Sequence, residues 1–389
     1  MKQKNLLELA RLFLRLGFTA FGGPAAHIAI FEDEVITKRN WMSRQHFLDM
    51  VGATNLIPGP NSTEMALHIG YHKGKIPGLF VAGLCFMMPA VLITGFLAYL
   101  YLLYGSLPQF APFLYGIKPA VIIIIINAVY KLGKKAVTGK TRLLVDWKLL
   151  TIALVVAIIN FSGLNEIVSI LLGGITGALF LLLSEKMITL NSLSPLMLLS
   201  FLLLKPITQI IEKSDLSLTK LFLTFLKIGA VWFGSGYILV AYFNGEFVQR
   251  LHWLTRKELL DAIAVGQFTP GPFLSSATFI GYQIAGIYGA ILATVGIVIP
   301  SFIFVLILNP LIPRIRKSNY LSKFLDAVNA SALAVMAVVA IKLGAEVLID
   351  WKAILIAILS AAAFLTIKKI NSAYIVIGGA ALGYLLFWI

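Results

Sequence analysis

One cysteine, Cys85, is all that 389 residues contain, which excludes disulfides and thiolate metal centres within the chain. Charge is also scarce. Only 13% of residues are charged, and 17 Asp and Glu face 32 Lys and Arg. No His, Asp and Glu spacing suits a metal, and no cofactor is expected. A cleavable leader is not expected either, because Lys2 and Lys4 precede an apolar stretch that runs past Gly22 without a small-residue cleavage site. What is abundant is apolar: 59% of residues are hydrophobic and the mean hydropathy is +0.91. Apolar runs of the roughly 20 residues that cross a bilayer recur along the chain. These features predict an all-α polytopic membrane protein surrounded by membrane lipid. The net charge of +15 does not call for nucleic acid, because the basic residues fall in short loops between apolar runs, where topology signals lie.

The chain contains an internal repeat. Shifted by 212 residues, Gly17 falls on Gly229, Phe21 on Phe233, Gly22 on Gly234, Glu34 on Glu246, Trp41 on Trp253, Arg44 on Arg256 and Asp49 on Asp261. Pro58-Gly59-Pro60 then falls on Pro270-Gly271-Pro272, and one deletion later Gly70-Tyr71 meets Gly281-Tyr282. The expected units are residues 1–190, a linker at 191–212 that carries a membrane helix near Pro195 to Ile211, and residues 213–389.

Basic residues in short loops mark the cytoplasmic side. The loop near 131–148 holds Lys131, Lys134, Lys135, Lys140, Arg142 and Lys148, whereas its counterpart offsets Lys342 and Lys352 with Glu346 and Asp350. The loop near 105–109 has no charge, but its counterpart carries Arg314, Arg316, Lys317 and Lys323. Opposite bias in duplicated halves predicts two inverted-topology repeats of about six segments each, joined by the linking helix, with a site at the repeat interface. Spans are expected near 6–30, 47–72, 76–104, 111–131, 148–161 and 165–184, then near 217–243, 258–282, 286–309, 322–343, 351–367 and 371–389.

The stretch Ile57 to Tyr71, IPGPNSTEMALHIGY, breaks a helix inside this apolar frame. Pro58 and Pro60 lack amide donors and Gly59 is permissive, so Asn61, Ser62 and Thr63 should start a new half-helix whose unpaired N–H groups suit an anion. The second copy repeats the break at Pro270, Gly271 and Pro272 and places Ser275 and Ser276 after it. Gly22-Gly23-Pro24 interrupts the first helix likewise. Arg15 and Lys227 lie about two turns before the paired breaks; a cation within a span needs a partner or a watery cavity, and facing inward both would balance an anionic substrate. Asp49 and Asp261 are expected to cap helices or to pair with Arg44 and Arg256.

Taken together, Phe21-Gly22-Gly23-Pro24 with His27, Pro58 through Glu64 to Gly70-Tyr71, and Gly266-Gln267 through Pro270-Gly271-Pro272 to Gly281-Tyr282 resemble the chromate ion transporter family in its two-domain form, over nearly the whole chain. The resemblance implies chromate efflux across the cytoplasmic (inner) membrane by a multi-pass protein driven by the proton gradient, with sulfate as a look-alike. The amide before the break differs between the copies, Asn55 against Gln267, and Ser235-Gly236 replaces Gly-Pro in the second half. Proton coupling requires a titratable group, and Glu64 and His68, four apart on one helix face, are candidates alongside His27. Three readings stay open: a chromate transporter, a transporter of sulfate or another small anion, and an enzyme acting on a polyprenyl phosphate. Against the last stand the lack of a second carboxylate beside Glu64 and of an arginine near either Pro-Gly-Pro. A homodimer is compatible with all three.

Overall fold

The computed structural model describes residues 2–20, 23–54, 57–105, 107, 109–137, 146–186, 216–233, 236–308, 319–367 and 370–387. Their regular structure is helical throughout. The first half runs α1 Lys2–Thr19, α2 Gly23–Glu32 with a π-helical turn at Asp33–Thr37, α3 Arg44–Thr54, α4 Asn61–Tyr104, α5 Ala111–Val137, α6 Trp147–Phe161 and α7 Glu166–Lys186. The second runs α8 Leu218–Val231, a 3₁₀ turn at Gly236–Ile238, α9 Leu239–Phe243 with a π-helical turn at Asn244–Arg250, and α10 Arg256–Phe268. A 3₁₀ turn at Phe273–Ser275 then opens α11 Ser276–Leu308, followed by α12 Asn319–Val347, α13 Trp351–Thr366 and α14 Ser372–Phe387.

Polar residues define the starts of these apolar helices. Asp146 accepts from the Lys148 amide at the start of α6, and Asp350 accepts from the Ala353 amide at the start of α13. Thr255 and Glu258 close a capping box on α10. Five of the described helical stretches are long and apolar enough to cross a membrane, and α6, α13 and α14 are shorter apolar helices. Leu92, Phe96, Ile126 and Ile307 stay exposed along them, as side chains facing lipid should. The chain is a multi-pass membrane protein.

Neither α4 nor α11 is a single rod. Lys75 leaves helical geometry at φ 56° and ψ −145°, and Gly286 does so at φ 58° and ψ −148°. At each point the chain reverses. Residues eight apart in a straight helix would be about 12 Å apart, yet a Cβ on Gly70 would strike the Gly78 carbonyl, and one on Gly281 the Gly289 carbonyl. Glycine at these crossings lets the two arms of each hairpin touch backbone to backbone.

The segments expected near 6–30, 47–72, 217–243 and 258–282 are each divided. Segment 47–72 is interrupted between Thr54 and Asn61, and segment 258–282 between Phe268 and Phe273, where the two prolines withhold the amides that a helix ladder needs. The linker 191–212, with the helix expected at Pro195 to Ile211, and loop residues Arg314, Arg316 and Lys317 lie outside the described residues.

The repeat extends to backbone details that residue identity does not carry. Asn40 (φ 50°) corresponds to His252 (φ 53°), Lys75 to Gly286, and Gly59 (φ 140°) to Gly271 (φ 89°). The two π-helical turns also correspond. Within each half, α1 packs on α4 and α8 on α11; between halves, α4 meets α11, α5 meets α14 and α7 meets α12. Gly116 of α5 lies so close to Gly379 and Gly383 of α14 that no side chain would fit between them.

Candidate functional site

A broken helix leaves carbonyls without partners at its end, and in an apolar surround each is costly to leave bare. The two halves resolve this by exchange. Gly59 donates its amide to the carbonyl of Trp232, just past α8, at 2.6 Å, and Gly271 donates to the carbonyl of Ala20, just past α1, at 2.9 Å. Both pairs follow the 212-residue shift, so each Pro-Gly-Pro loop finishes the first helix of the opposite half. The flanking prolines hold extended geometry: Pro60 (φ −80°, ψ 106°) is the N-cap of α4, and Pro272 (φ −76°, ψ 135°) precedes the turn into α11. A proline N-cap offers no side-chain acceptor to the first-turn amides. Pro58 and Gly271 are half-buried, while Gly59, Pro60, Pro270 and Pro272 are buried.

Asn61 lies half-buried at the start of α4, and Ser62, Thr63, Glu64 and His68 follow it into the interior. The Glu64 side chain is fully enclosed, at 0% exposure. Both of its carboxylate oxygens lack a hydrogen-bond partner among the described residues, as does the Thr63 hydroxyl. A Cβ on Gly59 would run into the Glu64 carboxylate and the Ser301 hydroxyl. Ser301, on α11 of the second half, therefore faces the same loop as Glu64, and its buried hydroxyl is also without a partner among the described residues. At the second loop, Ser275 is buried with its hydroxyl unpartnered among the described residues, and the half-buried Gln267 has an enclosed Nε2 without an acceptor among them. Ser276 is engaged: its hydroxyl donates to the Phe273 carbonyl at 2.9 Å.

His27 is buried between Phe31 and Phe86, with Nε2 3.1 Å from the Ala20 carbonyl. It thus shares with Gly271 the carbonyl that joins the halves. Gly23 and Pro24 open α2, and Gly22 and Asn55 lie outside the described residues.

Arg15 and Lys227, expected as charge partners for an anion, are each paired with a buried glutamate of their own half. Arg15 reaches Glu34 at 2.5 Å, and Lys227 reaches Glu246 at 2.7 Å. Lys38 and Arg39 complete the first cluster, and Arg250 the second. Burial opposes ionisation of Glu34, but hydrogen bonds from Lys38, Arg39 and Arg15 outweigh it and hold the carboxyl down at about 2. The glutamates lie on the π-helical turns, 19 residues and a helix break beyond their partners.

The expected pairing of Asp261 with Arg256 is corrected. Arg44 binds Glu32, and Arg256 binds Glu346. Asp261 accepts from the Tyr101 hydroxyl at 2.7 Å, across the halves, and the Asp49 side chain lies outside what the structure describes. An arginine five positions from an aspartate on a helix does not share its face. Sequence reasoning also missed Ser301, whose repeat counterpart is Ala90, and Glu166, which accepts from Asn244 and Gln249 of the other half at 3.0 Å each.

This geometry joins four chain breaks by reciprocal hydrogen bonds and surrounds them with enclosed hydroxyls, an amide and one carboxylate. The family description that matches the chain is "Chromate transporter", over residues 7–178 and again over 219–384. A chromate transport protein of Cupriavidus metallidurans is 30% identical over 97% of this chain and 92% of its own length. A probable chromate transport protein of Synechococcus elongatus is 30% identical over 99% of this chain and 96% of its own length. The uncharacterized transporter YwrA of Bacillus subtilis matches differently, at 26% identity over 33% of this chain and 71% of its own length, as a protein near the size of one half would. No solved structure matches the chain. With the family description matched once in each half, and full-length relatives aligned from end to end, the chain belongs to the chromate transporter family and is a transporter.

Proposed function

We propose that the protein carries chromate or a closely similar oxyanion across the cytoplasmic membrane, coupled to the proton gradient, through a site formed where the two halves meet. The observation that carries this reading is the reciprocal pair of hydrogen bonds, Gly59 to Trp232 and Gly271 to Ala20. They bring both Pro-Gly-Pro loops against the ends of both broken helices. Half-helix starts in an apolar surround attract anions, and the backbone N–H groups and hydroxyls gathered where the two loops meet are donors suited to a tetrahedral oxyanion. The correspondence of the halves, together with their opposite loop charge bias, supports an inverted repeat, in which rocking one half against the other alternates access to a shared site. Glu64 and His68 are the proton-linked groups on α4. His27, beside the Ala20 carbonyl, would pass a change in charge to the seam. Arg15 and Lys227 act by fixing the π-helical turns of their own halves.

The test is radiolabelled chromate flux into proteoliposomes under an imposed pH gradient, with sulfate, phosphate and molybdate as competitors. Saturable flux that responds to the gradient, and that sulfate competes for, is expected. Flux equal to that of protein-free vesicles would overturn the reading.

A further inference from the structure

The two Pro-Gly-Pro loops match in backbone but differ in chemistry. At the first loop stand a carboxylate, Glu64, and two hydroxyls, Thr63 and Ser301, all buried and without hydrogen-bond partners among the described residues. At the second, the repeat replaces the carboxylate with Ser276 and the Ser301 hydroxyl with the methyl group of Ala90. The enclosed groups left without partners there, among the described residues, are the Ser275 hydroxyl and the Gln267 Nε2, both of which can donate.

We propose that the loops divide the work of the site: the oxyanion rests against Ser275 and Gln267 at the second loop, while Glu64 at the first holds the proton, with Ser301 of the opposite half as its hydrogen-bond partner. This rests on the oxyanion transport reading above. A dianion of four acceptor oxygens needs donors and no neighbouring negative charge, and of the two loops only the second offers that combination. A buried carboxylate with no cation beside it among the described residues is costly to ionise, and its protonated O–H then needs an acceptor. The Ser301 oxygen, on the same side of Gly59, supplies one.

Among the side chains described, the other Asp, Glu, Lys, Arg and His groups on elements packed against α4 are engaged elsewhere, save Arg11 of α1 and Lys257 of α10, which are exposed. On α1, Arg15 pairs with Glu34 and Glu8 with Lys73; on α2, His27 meets the Ala20 carbonyl and Glu32 meets Arg44. On α3, His46 lies against His72; on α10, Asp261 accepts from Tyr101, Arg256 pairs with Glu346 and Glu258 caps its own helix. The described part of α11 carries no Asp, Glu, Lys, Arg or His. His68, one turn beyond Glu64, is the titratable neighbour on its own helix.

The experiment measures binding of chromate, and of sulfate in parallel, to the full chain in nanodiscs between about pH 5 and 8, with variants compared at equal pH so that the ligand's own protonation cancels. Wild-type affinity should rise as pH falls. Glu64→Gln should remove that rise, and Ser301→Ala should move its midpoint to lower pH, because the protonated carboxyl loses its acceptor. Ser275→Ala combined with Gln267→Ala should weaken binding at least tenfold at every pH without moving the midpoint, and Ser275→Thr, which keeps the hydroxyl, should retain binding. Thermal melting of each variant separates misfolding from loss of a contact. A Ser275→Ala, Gln267→Ala protein that binds like wild type, or a Glu64→Gln protein that keeps the pH dependence, overturns the division while oxyanion binding stands. A wild-type protein that binds neither anion overturns both.

Discussion

The amide of Gly59 reaches the carbonyl of Trp232 across 2.6 Å, joining a loop of the first half to the end of a helix in the second. The bond requires Gly59 to hold φ 140° and to carry no side chain, because a Cβ would meet the Glu64 carboxylate and Ser301. A non-glycine residue forced into such a region costs about 1–3 kcal/mol. Gly59→Ala should therefore lower the melting temperature in detergent and abolish transport. Gly271→Ala should be milder, since its Cβ would meet the Ala90 methyl at 3.0 Å and the Gly17 carbonyl at 3.2 Å, both farther than the Glu64 and Ser301 oxygens lie from a Cβ on Gly59. Equal melting temperatures for the two variants and wild type would refute this account of the loops.

Glu34 gathers three cations, and its carboxyl is held down at about 2 from an ordinary 4.5. A depressed folded-state pKa stabilises the protein above the unfolded value, and that contribution fades as pH falls from about 4.5 to about 2. Glu34→Gln should flatten the acid limb of the stability curve in this window. At neutral pH it should cost about 1–3 kcal/mol, because the half-exposed Arg15 and Lys38 are left with water as their alternative partner. An unchanged acid limb, read by tryptophan fluorescence, would show that the cluster does not fix the turn.

Opposite orientation of the halves can be read directly by labelling. Further along the repeat Asp146-Trp147 meets Asp350-Trp351, which makes Ser162, after α6, and Thr366, at the end of α13, counterparts, and both are exposed. In a Cys85→Ser background, Ser162→Cys and Thr366→Cys should react with an impermeant maleimide from opposite sides of the membrane. Reaction from the same side would remove the inverted repeat.

Much of this architecture could be read from particular residues. The Pro-Gly-Pro breaks and the 212-residue register follow from proline's missing amide and from coincident glycines, both local properties. Partners brought together by tertiary packing were not legible. Arg15 finds Glu34 only because the chain turns back after a helix break, and the expected Asp261–Arg256 pair failed because Glu346 comes to the arginine, and Tyr101 to the aspartate, once the helices pack. Ser301 carried no signal, since its counterpart is Ala90 and nothing in its own neighbourhood points toward Glu64. Asn40 and His252, different residues with the same left-handed backbone, show the limit from the other side: the fold repeats a conformation that the side chains do not announce.

The exchange of hydrogen bonds between the halves also bears on how the chain is made. Synthesis delivers the Ala20 carbonyl long before the Gly271 amide that joins it, so until the second half arrives that carbonyl has only the His27 ring of its own half beside it. Each half is in this sense the other's missing piece, and a protein of one half's size would have to borrow the matching amide from a second molecule.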